Sequence, residues 1–142
     1  MTIENYLISN LNQYNFIFSK IESYLSKKCL IYFTGELGSG KTSFIKQLLL
    51  YNYKFHDVTS PTFGIVNTYS INNINIYHYD LYRIKNSSEL NEIGFYNNLD
   101  INGIHLIEWP EIIPKDILEP DIAINFETNL DERIICIKYF NE

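Results

Sequence analysis

At 142 residues, with 46% hydrophobic side chains and 15% aromatics, the chain can bury the core of one domain spanning residues 1–142 and needs no linker or second domain. Its net charge of −6 argues against a direct grip on RNA or DNA, because phosphate contacts need clustered Lys and Arg, and only Arg83 and Arg133 are arginines. No apolar run approaches the roughly 20 residues of a membrane helix, and no basic residue precedes Lys20, so a secretory signal is not expected and the cytoplasm is the expected location.

Phe16, Ile17, Ile21, Tyr24 and Leu25 recur at helical spacing and predict an opening helix from Tyr14 to Lys27. Lys20, Lys27 and Lys28 read as its solvated face. The apolar run Cys29 to Phe33 predicts a strand, and Phe44, Ile45, Leu48 and Leu49 form the apolar stripe of a helix over Thr42 to Leu50. Two further strands, Phe63 to Ile71 and Ile74 to Tyr79, are separated by Asn72-Asn73, a pair that tolerates the positive φ of a tight antiparallel hairpin. Ser87 or Ser88 is the expected cap of a short helix holding Glu89, Leu90 and Glu92 and ending near Gly94. Ile104 to Ile107 is a short strand that Pro110 stops. Ile122 to Phe126 and Ile134 to Tyr139 close the chain as strands around Asn129-Leu130-Asp131. The expected fold is α/β, a P-loop NTPase-like three-layer arrangement with a mixed parallel and antiparallel sheet flanked by helices.

Between the second predicted helix and the strand before it lies Gly35-Glu36-Leu37-Gly38-Ser39-Gly40-Lys41-Thr42, followed by Ser43. Glycines let successive backbone N–H groups point inward, and the helix that follows adds the positive end of its dipole, which together cradle a di- or triphosphate. Lys41 is placed to reach the β/γ-phosphates and the Thr42 hydroxyl to ligate Mg²⁺. The strand before and the helix after favour this P-loop over a chance Gly-rich turn.

Hydrolysis also needs an acidic shell for the metal and a means of positioning water. Glu108 ends an apolar strand in the Walker B manner, and Asp80 closes Ile74 to Tyr79 in the same way; a solvated strand-end acid is the plain alternative for each. Thr59-Ser60-Pro61-Thr62 sets three hydroxyls around a proline, either an ordinary turn or a switch-like loop that orders on the γ-phosphate. Trp109, the single tryptophan, packs on nucleotide, on the core or on a partner. His56, His78 and His105 match no metal spacing and are expected to be structural or surface residues. Cys29 and Cys136 sit in apolar runs without a C-x-x-C pattern and are expected to be buried reduced thiols rather than a disulfide or a metal site.

In this order, the P-loop 35–42, Ser60-Pro61-Thr62-Phe63, His78-Tyr79-Asp80-Leu81-Tyr82-Arg83, Glu89 with Ile93-Gly94, and Glu108-Trp109-Pro110-Glu111 resemble the bacterial TsaE (YjeE) family over nearly the whole chain. The resemblance implies a Mg²⁺-dependent ATPase serving threonylcarbamoyladenosine synthesis beside the anticodon of tRNA. It implies TsaD and TsaB as partners that hold the tRNA, so that this chain meets tRNA only indirectly. By the same resemblance Lys41 and Thr42 match the phosphate and Mg²⁺ positions, Asp80 and Glu108 the acidic site residues, Trp109 a tryptophan beside the nucleotide, and Thr62 with its neighbours a mobile loop. Ser43 and Ser39 are mild departures, standing where Thr and Ala are frequent. The residue patterns leave Glu108 as base, water-positioner or outer-shell ligand, and leave Arg83 to orient an acid or to meet a partner.

A small-molecule P-loop kinase is disfavoured by the scarcity of arginine, and a GTP switch by the lack of an Asn-Lys-x-Asp motif. A nucleotide-dependent assembly factor with negligible turnover is the stronger rival. Few arginines near the motifs and an exposed 59–63 loop predict an ATPase that is weak alone and stimulated by its partners.

Overall fold

The computed structural model describes residues 1–25, 28–61 and 65–140. One seven-stranded sheet organises them, in the order β1-β7-β6-β2-β5-β4-β3. Its strands are β1 (Thr2–Ile8), β2 (Lys28–Gly35), β3 (Val66–Ile71), β4 (Ile74–Asp80), β5 (Gly103–Glu108), β6 (Ile122–Asn129) and β7 (Glu132–Tyr139). β2 pairs in parallel with β5 and β6, and β4 with β5, while β1·β7, β6·β7 and β3·β4 are antiparallel. The mixed sheet and flanking helices are those expected of an α/β P-loop NTPase-like fold. Every residue of β5 is buried, as a parallel strand covered on both faces must be.

Period-two alternation sorts the strands into two cores. On one face Cys29, Ile31 and Phe33 of β2 and Ile104 and Leu106 of β5 meet α1 (Tyr14–Ile21) and α2 (Lys41–Tyr53). On the other, Tyr77, Tyr79 and Ile107 meet Leu90 of α3 (Ser88–Glu92) and Phe95 and Leu99 of α4 (Phe95–Leu99). Phe44 is the hub of the first core. Its ring lies 5.1 Å from that of Tyr14, 5.0 Å from Phe18 and 5.4 Å from Phe126, in edge-to-face contacts that add to area burial.

Several expectations need correction. The opening helix stops at Ile21, continues as a 3₁₀ turn over Glu22–Tyr24, and cannot be followed to Lys27, which lies outside the described residues. Its buried stripe is Tyr14, Ile17, Phe18 and Ile21, whereas Phe16 is 62% exposed: the i, i+3, i+4, i+7 face starts two residues earlier than the pattern drawn through Phe16. Lys28 begins β2 and so does not share a helix face with Lys20, which pairs instead with Glu4 at 2.5 Å. β1 was not anticipated. It is an edge strand turning Ile3 and Leu7 outward, so its apolar residues do not mark a buried face.

The Asn72-Asn73 turn has φ of 51° and 67°, the positive pair a two-residue hairpin needs. Val66 opens β3, three residues later than expected, because Ile65 before it bends out of the strand at φ 66°; Phe63 and Gly64, like Thr62, lie outside the described residues. Ser87 occupies the N-cap of α3 without a side-chain cap bond, and Gly94, at φ 72°, passes the chain into the unanticipated α4. Both cysteines are free thiols, Cys29 buried as expected, but Cys136 is partly exposed, which corrects the expectation that an apolar strand run buries it. Among the described residues no helix is long and apolar enough to cross a membrane.

Candidate functional site

A cleft of about 560 Å³ opens where β2, β4 and β5 end, lined by residues 37–43 together with Ser60, Asp80, Arg83, Glu108, Trp109 and Arg133. Parallel strands deliver their C-terminal ends to one edge of the sheet, the edge at which open α/β sheets hold ligands. Phe33 of β2 is paired with Glu108 of β5, and Glu108 with Asp80 of β4, so the register sets the two acids side by side just before the turn at Gly35.

The turn 35–40 depends on glycine at two places. A Cβ at Gly35, whose φ is 143°, would stand 2.7 Å from both the Phe126 carbonyl oxygen and the Ser39 Oγ. At Gly40, φ 105°, it would stand 2.8 Å from Nη1 of Arg133. Glu36, Leu37 and Gly38 form the exposed lip, with Leu37 67% exposed, while Ser39 is buried beneath. Gly40 caps α2, and Lys41, Thr42 and Ser43 of its first turn, whose N–H groups have no partner within the helix, line the cleft.

Lys41 is buried and folded back on the turn. Its Nζ donates to the Gly35 carbonyl, to the Glu36 carbonyl at 2.9 Å, and lies 4.3 Å from the centre of the Trp109 indole. Burial lowers its ammonium below the usual lysine range, against the opposing pull of Glu108, Glu111 and Asp80. Trp109 takes the left-handed conformation at φ 60° immediately before Pro110, an uncommon backbone for a bulky residue, held by its N–H to the Phe33 carbonyl at 3.3 Å. Its ring also meets Tyr82 at 4.8 Å.

Thr42 Oγ1 stands 2.9 and 3.0 Å from the two oxygens of Glu108, whose side chain is only 4% exposed. Asp80 is half-buried; desolvation raises its carboxyl above the ordinary range, while the Tyr82 N–H, donating to Oδ1 at 3.0 Å, pulls the other way. Desolvation likewise raises Glu111. A hydroxyl, a buried carboxylate and a second carboxylate beside the glycine turn 35–40 are the hard oxygen donors that suit Mg²⁺, which keeps several waters and takes few protein ligands. The donor set fits the cation.

Ser43, Ser60 and Trp109 all reach the cleft, and Thr59 is tied to β3 through Asn67 Nδ2 and the Tyr69 hydroxyl, each at 3.0 Å. Pro61 is buried; Thr62 lies outside the described residues. Both arginines line the cleft, which corrects the expectation of few near the motifs. Two features escaped sequence reading. Arg133 arrives from β7, distant in sequence from the P-loop, with no local signal. His78, expected to be a structural or surface residue, is fully buried with Nε2 2.6 Å from Glu108 Oε2, a contact at which only its neighbourhood to Asp80 in sequence hinted. His105 instead stacks on Tyr77 at 4.7 Å and bonds the Ile101 carbonyl at 3.0 Å, as a core residue does.

Residues 8–135 match the family model of the threonylcarbamoyl adenosine biosynthesis protein TsaE. The tRNA threonylcarbamoyladenosine biosynthesis protein TsaE of Rickettsia conorii is 40% identical over 108 residues, covering 75% of this chain and 61% of that one. The protein of the same name from Borreliella burgdorferi is 46% identical over 90 residues, covering 60% and 65%. That of Haemophilus influenzae is 34% identical over 115 residues, covering 81% and 73%. The chain thus spans about three fifths of the length of the Rickettsia conorii relative. In fold, it superposes on the crystal structure of Bacillus subtilus YdiB with a TM-score of 0.71 at 21% identity, covering 99% of this chain and 87% of that one. With the model covering most of the sheet, both sides of the cleft and the P-loop, the chain belongs to the TsaE family.

Proposed function

We propose that the chain, as one P-loop domain, binds ATP and Mg²⁺ and hydrolyses ATP in the cytoplasm in support of threonylcarbamoyladenosine modification of tRNA, acting with TsaD and TsaB. The observation that carries this reading is the Thr42 hydroxyl on the Glu108 carboxylate at the mouth of the P-loop. The turn 35–40 and the first turn of α2 bind the phosphates through backbone N–H groups. Lys41 would exchange the Gly35 and Glu36 carbonyls for β/γ-phosphate oxygens. Thr42 and Glu108, with Asp80 nearby, would hold Mg²⁺, which when bound would neutralise developing phosphate charge. Trp109 covers Lys41 and would lie beside the nucleotide.

The catalytic roles fall to Lys41, Glu108 and Asp80. Because Lys41 is already engaged by its own turn and capped by Trp109, the isolated chain turns over slowly, and the transferase pair TsaD and TsaB raises the rate. The net charge of −6 leaves tRNA to those partners and argues against a direct grip on DNA.

Hydrolysis of ATP by the purified chain in Mg²⁺, alone and with TsaD and TsaB, tests the reading, with Trp109 fluorescence following binding. Slow turnover that rises with the partners supports it. Binding without turnover in either condition would make the chain a nucleotide-dependent assembly factor, and no binding would overturn both.

A further inference from the structure

We propose that His78 is a positioning residue for Glu108, fixing the carboxylate so that the Thr42 hydroxyl keeps its lone pairs turned to the cation. This rests on the function proposed above. His78 lies on β4, on the face that α1 and α2 cover, two residues before Asp80, and none of its surface reaches solvent. Its Nε2 is 2.6 Å from Glu108 Oε2. With the Glu108 carboxylate as acceptor, the proposal assigns the ring proton of this contact to Nε2, which donates.

The other ring nitrogen, Nδ1, is buried without a hydrogen-bond partner among the described residues. An apolar side chain of similar size would fill the same space and leave no polar atom stranded. The one polar bond the imidazole makes is therefore what histidine adds at this position, and that bond goes to Glu108. From Glu108 the chain runs on to Thr42, whose single O–H points at the carboxylate and whose oxygen is then oriented by it. Partners of this kind behind a metal-binding carboxylate orient it and tune cation affinity.

The test compares His78→Leu, which removes the donor, with His78→Gln, which keeps an N–H at the end of a comparable reach. ADP binding is followed by Trp109 fluorescence in EDTA and across a Mg²⁺ titration. His78→Leu is expected to raise the Mg²⁺ midpoint about 10- to 100-fold while ADP affinity in EDTA stays within about twofold, and His78→Gln is expected to recover most of the shift. An unchanged midpoint in His78→Leu, or equal shifts in both variants, would overturn the proposal.

Should His78→Leu not fold, the long-range ¹H–¹⁵N spectrum of the wild-type imidazole decides: a proton on Nε2 with Nδ1 bare supports the role, and the opposite tautomer overturns it. If ADP binding by the wild type itself ignored Mg²⁺, the proposed function would fall and this inference with it. If the wild type responded and His78→Leu matched it, only the inference would fall.

Discussion

The Lys41 ammonium lies 4.3 Å from the centre of the Trp109 ring, so the side chain expected to reach phosphate is sheathed by the only tryptophan in the chain. Any ligand that draws Lys41 away from the Gly35 and Glu36 carbonyls changes the polarity around the indole. ADP binding is expected to alter Trp109 emission, and Lys41→Ala to weaken binding by about 10- to 100-fold, the size of a charged hydrogen bond. Fluorescence titration checks this; affinity within twofold of wild type would remove Lys41 from the phosphate site.

Gly40→Ala strains a backbone that sits at φ 105°, and its new methyl, 2.8 Å from Nη1, makes the flexible end of Arg133 swing away from the cleft. The variant is expected to lose measurable ADP binding by calorimetry while keeping the sheet signature in circular dichroism, because Gly40 lies in the turn and not in the core. Wild-type affinity would show that the turn tolerates rearrangement.

Asp80 carries a raised carboxyl pKa because desolvation penalises its charged form. A raised value means that the folded state holds the proton more tightly than the unfolded state, so stability falls as pH rises from the ordinary carboxylate value through the raised one. Asp80→Asn keeps the acceptor for the Tyr82 N–H and removes the charge. In EDTA its Tm is expected to exceed that of the wild type at pH 8, with the gap closing as pH falls to about 4. Thermal melts at the two pH values check this, and a gap independent of pH would contradict it.

Phe44 and Phe16 were both legible as apolar helix residues, yet their environments are opposite. Phe44 is fully buried among Tyr14, Phe18, Phe33 and Phe126, and Phe16 is 62% exposed. Phe44→Ala is expected to cost about 3–5 kcal/mol, and Phe16→Ala less than about 0.5 kcal/mol. Urea unfolding separates them; equal losses would mean that the helix packs on another face.

Burial pushes the Cys29 thiol up to about 12, keeping it from forming thiolate near neutral pH. In Cys136→Ser, native protein is expected to resist a thiol reagent at pH 8 and to react with one equivalent once unfolded. Rapid reaction of the native variant would show β2 to be open to solvent.

By itself the sequence determined those features whose parts are contiguous in the chain. The turn 35–40 and the helix after it, the Asn72-Asn73 hairpin and the apolar strands closing on Asp80 and Glu108 are each specified by local backbone preference or by alternation along a few residues. Edge and short elements escaped this reading, because β1 turns Ile3 and Leu7 outward and α4 has only five residues in which to show a period. Only the tertiary structure decided which distant groups meet. Strand register sets Asp80 beside Glu108, brings His78 to the same carboxylate, and carries Arg133 from the far end of the chain onto Gly40. Those meetings depend on which strands pair and in what register, and pairing is chosen by the burial of two whole cores, a property of the folded sheet that no short stretch of sequence contains.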